Sequence, residues 1–167
     1  MSAFDYIIKR PSPSQKMQDE NLEQDMFNQA KAFFLAGHRC ATEEWVSPKS
    51  YIFLLAPVVV CYAFAIEVYL KLLLQLNNIK VRNTHNILKL CKSLPEDIRN
   101  KIVEQYRAVL GKNLDQFLKD IELISEAFEQ WRYAYEHQLL AVSTSILRGI
   151  GQILHDIILE LRPSLKP

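Results

Sequence analysis

The feature that most constrains the fold is a long apolar segment in the first half of the chain. Residues 51–66 are sixteen residues without a charge, and they run directly into Glu67 and Lys71. A confident membrane span needs about 18 or more apolar residues, and this segment is shorter and contains Pro57. We therefore predict a helix over 49–76, buried at the centre of a bundle, in which Pro57 either causes a kink or splits off the first turns. We expect no membrane partner.

The composition agrees with one globular, helical domain. Hydrophobic residues make up 49% of the 167 residues and charged residues 23%, which excludes a disordered or low-complexity chain. Only 4 glycines occur, which favours helices over a turn-rich β sandwich. The 3 cysteines form no CxxC pair and the chain does not open with a signal-peptide pattern, so we expect free thiols and a cytoplasmic location.

The helical periodicity predicts an all-α, antiparallel up-and-down bundle of five to six helices. A flexible N-terminal arm over 1–15, with two prolines, precedes a single bundle domain over 16–162 and a C-terminal tail over 163–167. The predicted helices span 16–37, 49–76, 86–93, 95–110, 114–135 and 139–161.

Prolines and glycines mark most of these boundaries. Gly37 is predicted to end the first helix, and Gly111 to end the fourth. Ser47 is predicted to cap the second helix, with Pro48 at its first position. Pro163 is predicted to end the last one.

The charges are unevenly distributed although the formal net charge is only +1. Residues 71–112 contain nine basic and three acidic residues, whereas 113–136 contain six acids and two basic residues. Two readings remain open. The two segments form solvated faces that attract each other within the bundle, or the basic segment forms a rim that binds a phosphate backbone.

The sequence contains no pattern typical of a metal or cofactor site. None of the four histidines has a metal-ligand spacing to another histidine or cysteine. The glycines in 148–151 lie within a helical pattern and follow no strand, so we interpret them as positions where a neighbouring helix approaches closely. We expect a protein without metal and without cofactor.

The most informative stretch is 128–137, which contains Arg132 and His137. On a continuous helix, five positions correspond to about 140° of rotation, so the two side chains would lie on different faces. A break near Glu136 would allow both to face one pocket. Arginine presents a planar cationic fork to phosphate, and histidine transfers protons near neutral pH. Together they can promote attack of an RNA 2′-hydroxyl on the adjacent phosphodiester without a metal.

Each of these residues also has a structural interpretation. Glu67 lies in an apolar helix and needs a partner when buried, for which Arg132 is the predicted cation; such a pair would also orient the guanidinium. His137 is equally compatible with an ordinary position at a helix N-terminus. His85 is predicted to cap or pack. The aromatic residues beside Arg132 are predicted to make core or dimer contacts rather than to stack on bases: Trp131, Tyr133 and Tyr135.

The chain resembles the HEPN (higher eukaryotes and prokaryotes nucleotide-binding) superfamily, whose mark is an R-x(4–6)-H signature in a small helical bundle. The resemblance covers about residues 50–160 and rests on three stretches in order. These are Ala65-Ile66-Glu67-Val68-Tyr69-Leu70-Lys71, Thr84-His85-Asn86-Ile87-Leu88-Lys89-Leu90 and Trp131-Arg132-Tyr133.

The resemblance implies a homodimer in which both copies bring Arg132 and His137 to one cleft. It also implies metal-independent RNA cleavage, with His137 as general base or acid, Arg132 stabilising the phosphorane, and Tyr133 and Glu67 in support. Many relatives are toxins or phage-defence effectors, controlled by an antitoxin or another regulatory protein. The alternative is a non-catalytic, dimerising module of the same type that binds a nucleotide or a protein partner.

Two positions depart from the pattern of active relatives. Tyr133 follows the arginine where these relatives often have Asn, Asp or His, and its hydroxyl is a weaker substitute. Leu139 lies where members paired with a nucleotidyltransferase antitoxin often have tyrosine. The resemblance therefore does not imply that kind of antitoxin.

Overall fold

A computed structural model describes residues 19–42, 44–47, 50–52, 54–80, 83–136 and 141–165. Within them the chain forms a bundle of α-helices with one short β-hairpin, which confirms the predicted helical class. The helices are α1 (Asp19–Cys40), α2 (Leu55–Leu76), α3 (Ile87–Lys92), α4 (Glu96–Leu110), α5 (Leu114–Leu123), α6 (Ala127–Arg132) and α7 (Thr144–Leu161). A 3-10 turn (Ala134–Glu136) follows α6. The predicted N-terminal arm lies outside the described residues.

Helix α2 is the centre of the bundle. It contacts α1, α3, α6 and α7, and its residues are buried on nearly all sides. Among the described helices, α2 is the one long and apolar enough to cross a membrane, but 72% of its most apolar 18-residue window is buried inside the bundle. These four helices cover its apolar surface with their own apolar faces.

Of the two alternatives at Pro57, the kink is wrong, whereas the start of the predicted segment is separate from the helix, since Ser50–Ile52 form a strand. Helix α2 begins at Leu55, so Pro57 is its third residue. The first amides of an α-helix have no acceptor within the helix, and proline removes no hydrogen bond there. The helix therefore continues through Pro57 to Leu76.

The predicted connector before α2 is instead a β-hairpin. Strand β1 (Glu44–Ser47) pairs antiparallel with β2 (Ser50–Ile52), with Trp45 opposite Tyr51. Ser47 ends β1 and does not cap α2, so that prediction is wrong. The aromatic and β-branched residues in 45–52 favour strands, and this preference prevails here over the N-cap preference of Ser47.

Three glycines each let a pair of helices approach closely. Gly37 does not end α1 as predicted, since the helix continues to Cys40, and a Cβ at Gly37 would lie 2.7 Å from Cδ1 of the Tyr62 ring. Gly149 and Gly151 lie inside α7, as predicted, where added Cβ atoms would lie 3.0 Å from Leu110 and 2.5 Å from Phe34.

The long helix predicted over 114–135 is interrupted at 124–126. The amide of Ile87, at the start of α3, donates to the carbonyl of Ser125 at 2.9 Å. That carbonyl would otherwise accept from Glu129 inside a continuous helix, but the Glu129 amide bonds to Glu126 instead. A tertiary hydrogen bond thus replaces a helical one, and α6 begins as a separate helix after the break.

The last helix also differs from its prediction at one end. It begins at Thr144, where the Ser143 hydroxyl accepts from the Ile146 amide, and not at 139. It ends at Leu161, just before Pro163, as predicted. Leu165, in the segment assigned to the tail, packs into the core with 4% of its surface exposed.

Gly151→Ala tests the close contact between α7 and α1. A methyl group there would displace the buried Phe34 ring, and overpacking costs about 1–3 kcal/mol, partly offset by about 1 kcal/mol of helix propensity. We expect a lower free energy of unfolding in urea. The penalty should shrink in a Phe34→Leu background, and an equal penalty in both backgrounds would show that the contact is not its cause.

His155 gives the fold a pH dependence. Its Nδ1 lies 2.9 Å from the Tyr69 hydroxyl and its ring stacks on Phe27, and burial lowers its pKa from the ordinary 6.5. As the pH falls below 6.5, the unfolded chain protonates this histidine first, so the folded state loses stability. We expect the loss between about pH 7 and 5 to be smaller in His155→Gln, measured by urea unfolding; equal losses would contradict this origin.

Candidate functional site

The candidate site lies where α2, the segment before α3, and α6 meet. Glu67 belongs to the buried part of α2 and is only 1% exposed. His85 precedes α3, and Arg132 is the last residue of α6. The three sequence stretches that carry the family resemblance thus converge on one region of the bundle.

Glu67 is paired, but not with the predicted cation. Its carboxylate accepts from Lys71 Nζ at 2.7 Å, one helical turn further along α2. Both carboxylate oxygens also lie 3.0 Å from Nδ1 of His85. The predicted ion pair between Glu67 and Arg132 is therefore wrong, because residues nearer to the carboxylate satisfy it.

His85 was predicted to cap or pack, and the structure gives it a polar partner as well. Asn86, not His85, caps α3, accepting from the Lys89 amide at 2.9 Å. The His85 side chain keeps 42% exposure while its Nδ1 faces Glu67. An ionised carboxylate can only accept, so Nδ1 donates to it. Sequence reasoning missed this pair because the two residues are distant in sequence.

Phe128 joins the histidine to the arginine. The His85 ring is tilted against the Phe128 ring with centroids 5.5 Å apart, and the Arg132 guanidinium lies 4.5 Å from the same centroid. Phe64 of α2 stacks on Phe128 at 5.0 Å and anchors it to the core. The Phe128 ring holds the face of the guanidinium by a cation–π contact. Such a contact does not occupy the N–H groups at the edge of the guanidinium.

Arg132 is exposed, and within the described part of the chain it forms no ion pair. Its guanidinium also lies 5.5 Å from the Tyr133 ring centroid. Of the aromatic neighbours, Trp131 is buried, whereas Tyr133 is exposed and Tyr135 is 82% exposed. Trp131 is thus a core residue, and the two tyrosines are not.

The second predicted catalytic residue, His137, lies outside the described residues, as does Leu139. The chain leaves the α-helix at Arg132 and passes through the 3-10 turn up to Glu136. The predicted break in the helix therefore occurs, a few residues earlier than Glu136.

Among the described residues, one ion pair joins the two charge segments. Lys112 Nζ lies 2.6 Å from the carboxylate of Asp120, which also accepts from the Tyr106 hydroxyl. Lys101 pairs instead with Glu160 of α7. Within the described residues, no group of three or more metal-ligating side chains lies together.

Comparisons of the chain with protein-family models, curated proteins and solved structures find no match.

Glu67→Ala tests the buried ion cluster. Removing the carboxylate leaves Lys71 and His85 beside an apolar helix without their partner, and we expect a loss of about 1–3 kcal/mol in the free energy of unfolding. Glu104→Ala, at an exposed position of α4, is the matched control and should change it by less than about 0.5 kcal/mol. Equal effects of the two changes in urea denaturation would contradict the role assigned to Glu67.

Proposed function

We propose that this chain is a metal-independent endoribonuclease of the HEPN type. Arg132 and His137 act on the RNA phosphate, and Tyr133 and Glu67 support them. The observation that carries the proposal is the Arg132 guanidinium, exposed at the end of α6 and stacked on Phe128. An arginine kept on the surface by an aromatic ring, with no ion pair among the described residues, is available to bind phosphate.

Glu67 supports the site indirectly in this proposal. Its carboxylate holds His85, the His85 ring packs on Phe128, and Phe128 in turn lies beneath Arg132. Each contact restricts the next side chain, so the buried acid limits where the guanidinium can lie. This route replaces the direct pair that the sequence predicted.

The reaction needs no group from outside the chain and its substrate. A histidine accepts the proton of a ribose 2′-hydroxyl, whose oxygen forms a bond to the adjacent phosphorus. Arg132 stabilises the added negative charge on the phosphorane oxygens. The bond from phosphorus to the 5′-oxygen then breaks, and the leaving oxygen takes up a proton. The products are a 2′,3′-cyclic phosphate and a 5′-hydroxyl.

The partners follow from the same proposal. Two copies of the chain form a homodimer around a shared cleft, in the cytoplasm, with RNA as substrate. The exposed rings of Tyr133 and Tyr135, 6.5 Å apart, lie beside Arg132 and are available for the dimer contact. A toxin or phage-defence role, restrained by an antitoxin or regulatory protein, fits an RNA-cleaving activity of this kind.

Cleavage of a labelled single-stranded RNA in chelator tests the proposal. We expect wild-type protein to release fragments with 2′,3′-cyclic phosphate ends. Arg132→Gln should lower the rate about 10²–10³-fold, and His137→Ala about 10²–10⁴-fold. Arg39→Gln, which removes an exposed arginine of α1 outside the basic segment 71–112, is the matched control and should cut at the wild-type rate.

A substrate control tests whether the ribose 2′-hydroxyl is the attacking group. RNA with a single ribose at the cut site should be cleaved, and the same strand with a 2′-deoxyribose there should not, because the attacking hydroxyl is missing. Folding and dimerisation of the variants are checked by circular dichroism and analytical ultracentrifugation. If a folded wild-type dimer leaves RNA intact, with and without nucleotides, the nuclease proposal fails and the binding module is favoured.

His85→Gln distinguishes the two histidines near the site. As a positioning residue, His85 should contribute about tenfold to the rate, in the range of other residues that orient a catalytic group. A loss as large as that of His137→Ala would instead assign the proton transfer to His85.

A further inference from the structure

A second region of the molecule contains an open apolar groove. Its cavity of about 210 Å³ lies between α3, the first half of α4, and α5. An apolar protein cavity of about 150 Å³ can hold benzene, so this volume admits an aromatic ring. None of its lining residues belongs to the proposed RNA site. Its walls are mainly apolar and include Leu88, Val103, Leu114, Phe117, Leu118 and Ile121.

The wall that α5 contributes to the groove is only half covered by the described part of the bundle. Phe117 and Ile121 are buried, whereas Leu114 is 47% exposed and Leu118 is 48% exposed. By the period of the helix, these four residues form one continuous apolar stripe. The stripe is therefore wider than the described helices cover, and its uncovered half borders the cavity. An apolar surface of this kind is typical of a contact with another segment.

Two cations border the groove at the end of α3. Lys92 and Arg99 both line the cavity. Nη1 of Arg99 donates to the backbone carbonyl of Lys92 at 3.1 Å, which holds the guanidinium beside the last turn of α3. Neither residue forms an ion pair within the described part of the chain. The groove therefore suits an apolar segment that also carries a carboxylate.

Two exposed acids lie next to these cations. Glu96 and Asp97 form the first turn of α4, and neither is in an ion pair among the residues that the structure describes. The period of the helix places Glu96 on the same face of α4 as Val103, which lines the groove. Asp97 lies between that face and the one that carries Lys101, which pairs with Glu160 of α7. A segment that comes from α7 to the groove therefore passes the two acids.

The beginning of the chain contains a stretch with the complementary pattern. Residues 4–8 read Phe-Asp-Tyr-Ile-Ile, and Lys9 and Arg10 follow directly. Four large apolar or aromatic residues thus surround one acid, Asp5, and two cations come next. The groove offers an apolar wall with two cations, and two acids beside it. The order of charges along residues 4–10, which we call the N-terminal stretch, matches the order of opposite charges on the protein surface.

The N-terminal stretch is tethered close enough to reach the groove. Glu23, near the start of α1, pairs with Arg162 at the end of α7 at 2.9 Å. Lys101, near the start of α4, pairs with Glu160 in the last turn of α7 at 2.5 Å. Both helices therefore begin at the same end of α7, about 20 Å apart for packed neighbours spaced by 8–10 Å. The ten residues of 9–18, which precede α1, span up to about 35 Å.

We propose that the N-terminal stretch binds this groove in its own chain. The ring of Phe4 enters the cavity beside Leu118, and Asp5 pairs with the two groove cations. The two basic residues that follow pair with the acids in the first turn of α4. The contact covers the exposed half of the α5 stripe and joins α1, through the preceding residues, to α4 and α5.

Photocrosslinking in the full-length protein tests this contact. Benzoylphenylalanine replaces Leu118, and tryptic peptides are analysed by mass spectrometry after irradiation. We expect a crosslink between α5 and residues 1–9. Irradiating a mixture of ¹⁵N-labelled and unlabelled protein should give no mixed-isotope product, because the stretch belongs to the same chain. Val109 is an exposed residue of α4 that does not line the groove, and the same replacement there should give no crosslink to residues 1–9.

Variants of the crosslinking protein test the apolar contact and the charged contacts separately. Phe4→Asp should lower the crosslink yield about fivefold or more, because the buried ring is lost. Ala3→Asp adds the same charge at the adjacent position and should leave the yield unchanged. Lys9→Glu with Arg10→Glu should lower the yield about two- to fivefold. Adding Glu96→Lys and Asp97→Lys to that protein should restore it, because opposite charges then face each other again.

Three results would overturn the proposal, provided that circular dichroism shows each variant to be folded. The first is the absence of a crosslink from position 118 to residues 1–9. The second is a crosslink found in mixed-isotope products, which would assign the groove to the N-terminal stretch of a second copy. The third is a yield that Phe4→Asp leaves unchanged. These outcomes do not depend on RNA cleavage, so the groove and the nuclease site fail or stand separately.

Discussion

One buried carboxylate governs the arrangement of the candidate site. Glu67 lies inside the most buried helix, where a charge without a partner would be strongly destabilising. Lys71 reaches it from the same helix, but His85 must come from another part of the chain. Satisfying the acid therefore fixes the segment before α3 against α2.

The consequences of that contact extend to α6. With the start of α3 held in place, the Ile87 amide donates to the Ser125 carbonyl and interrupts the helix that the sequence predicted through this point. After the break, Phe128 of α6 packs against both Phe64 and His85, and Arg132 lies over Phe128 at the surface. A single electrostatic requirement in the core is thus connected, contact by contact, to a guanidinium exposed to solvent.

Helix α2 serves two regions of the protein. Tyr62 and Glu67 are five positions apart, which corresponds to about 140° around the helix axis, so they face different neighbours. Glu67 faces the segment before α3, whereas the Tyr62 ring packs against Phe34 and His38 of α1. In both places a polar group lies within an apolar helix; Glu67 has protein partners, and the Tyr62 hydroxyl has none among the described residues.

The sequence by itself determined the helical class, the central position of α2, the close approach at Gly149 and Gly151, and the end of α7 before Pro163. These depend on local periodicity, residue size and backbone chemistry, which are visible within a short window of sequence. Only the tertiary structure decided that Glu67 pairs with His85 and not with Arg132, that 114–135 breaks at Ser125, and that the Tyr62 hydroxyl is buried without a hydrogen-bond partner among the described residues. Each of these depends on which distant residues meet, and competition between partners is settled by packing geometry that local sequence patterns do not contain.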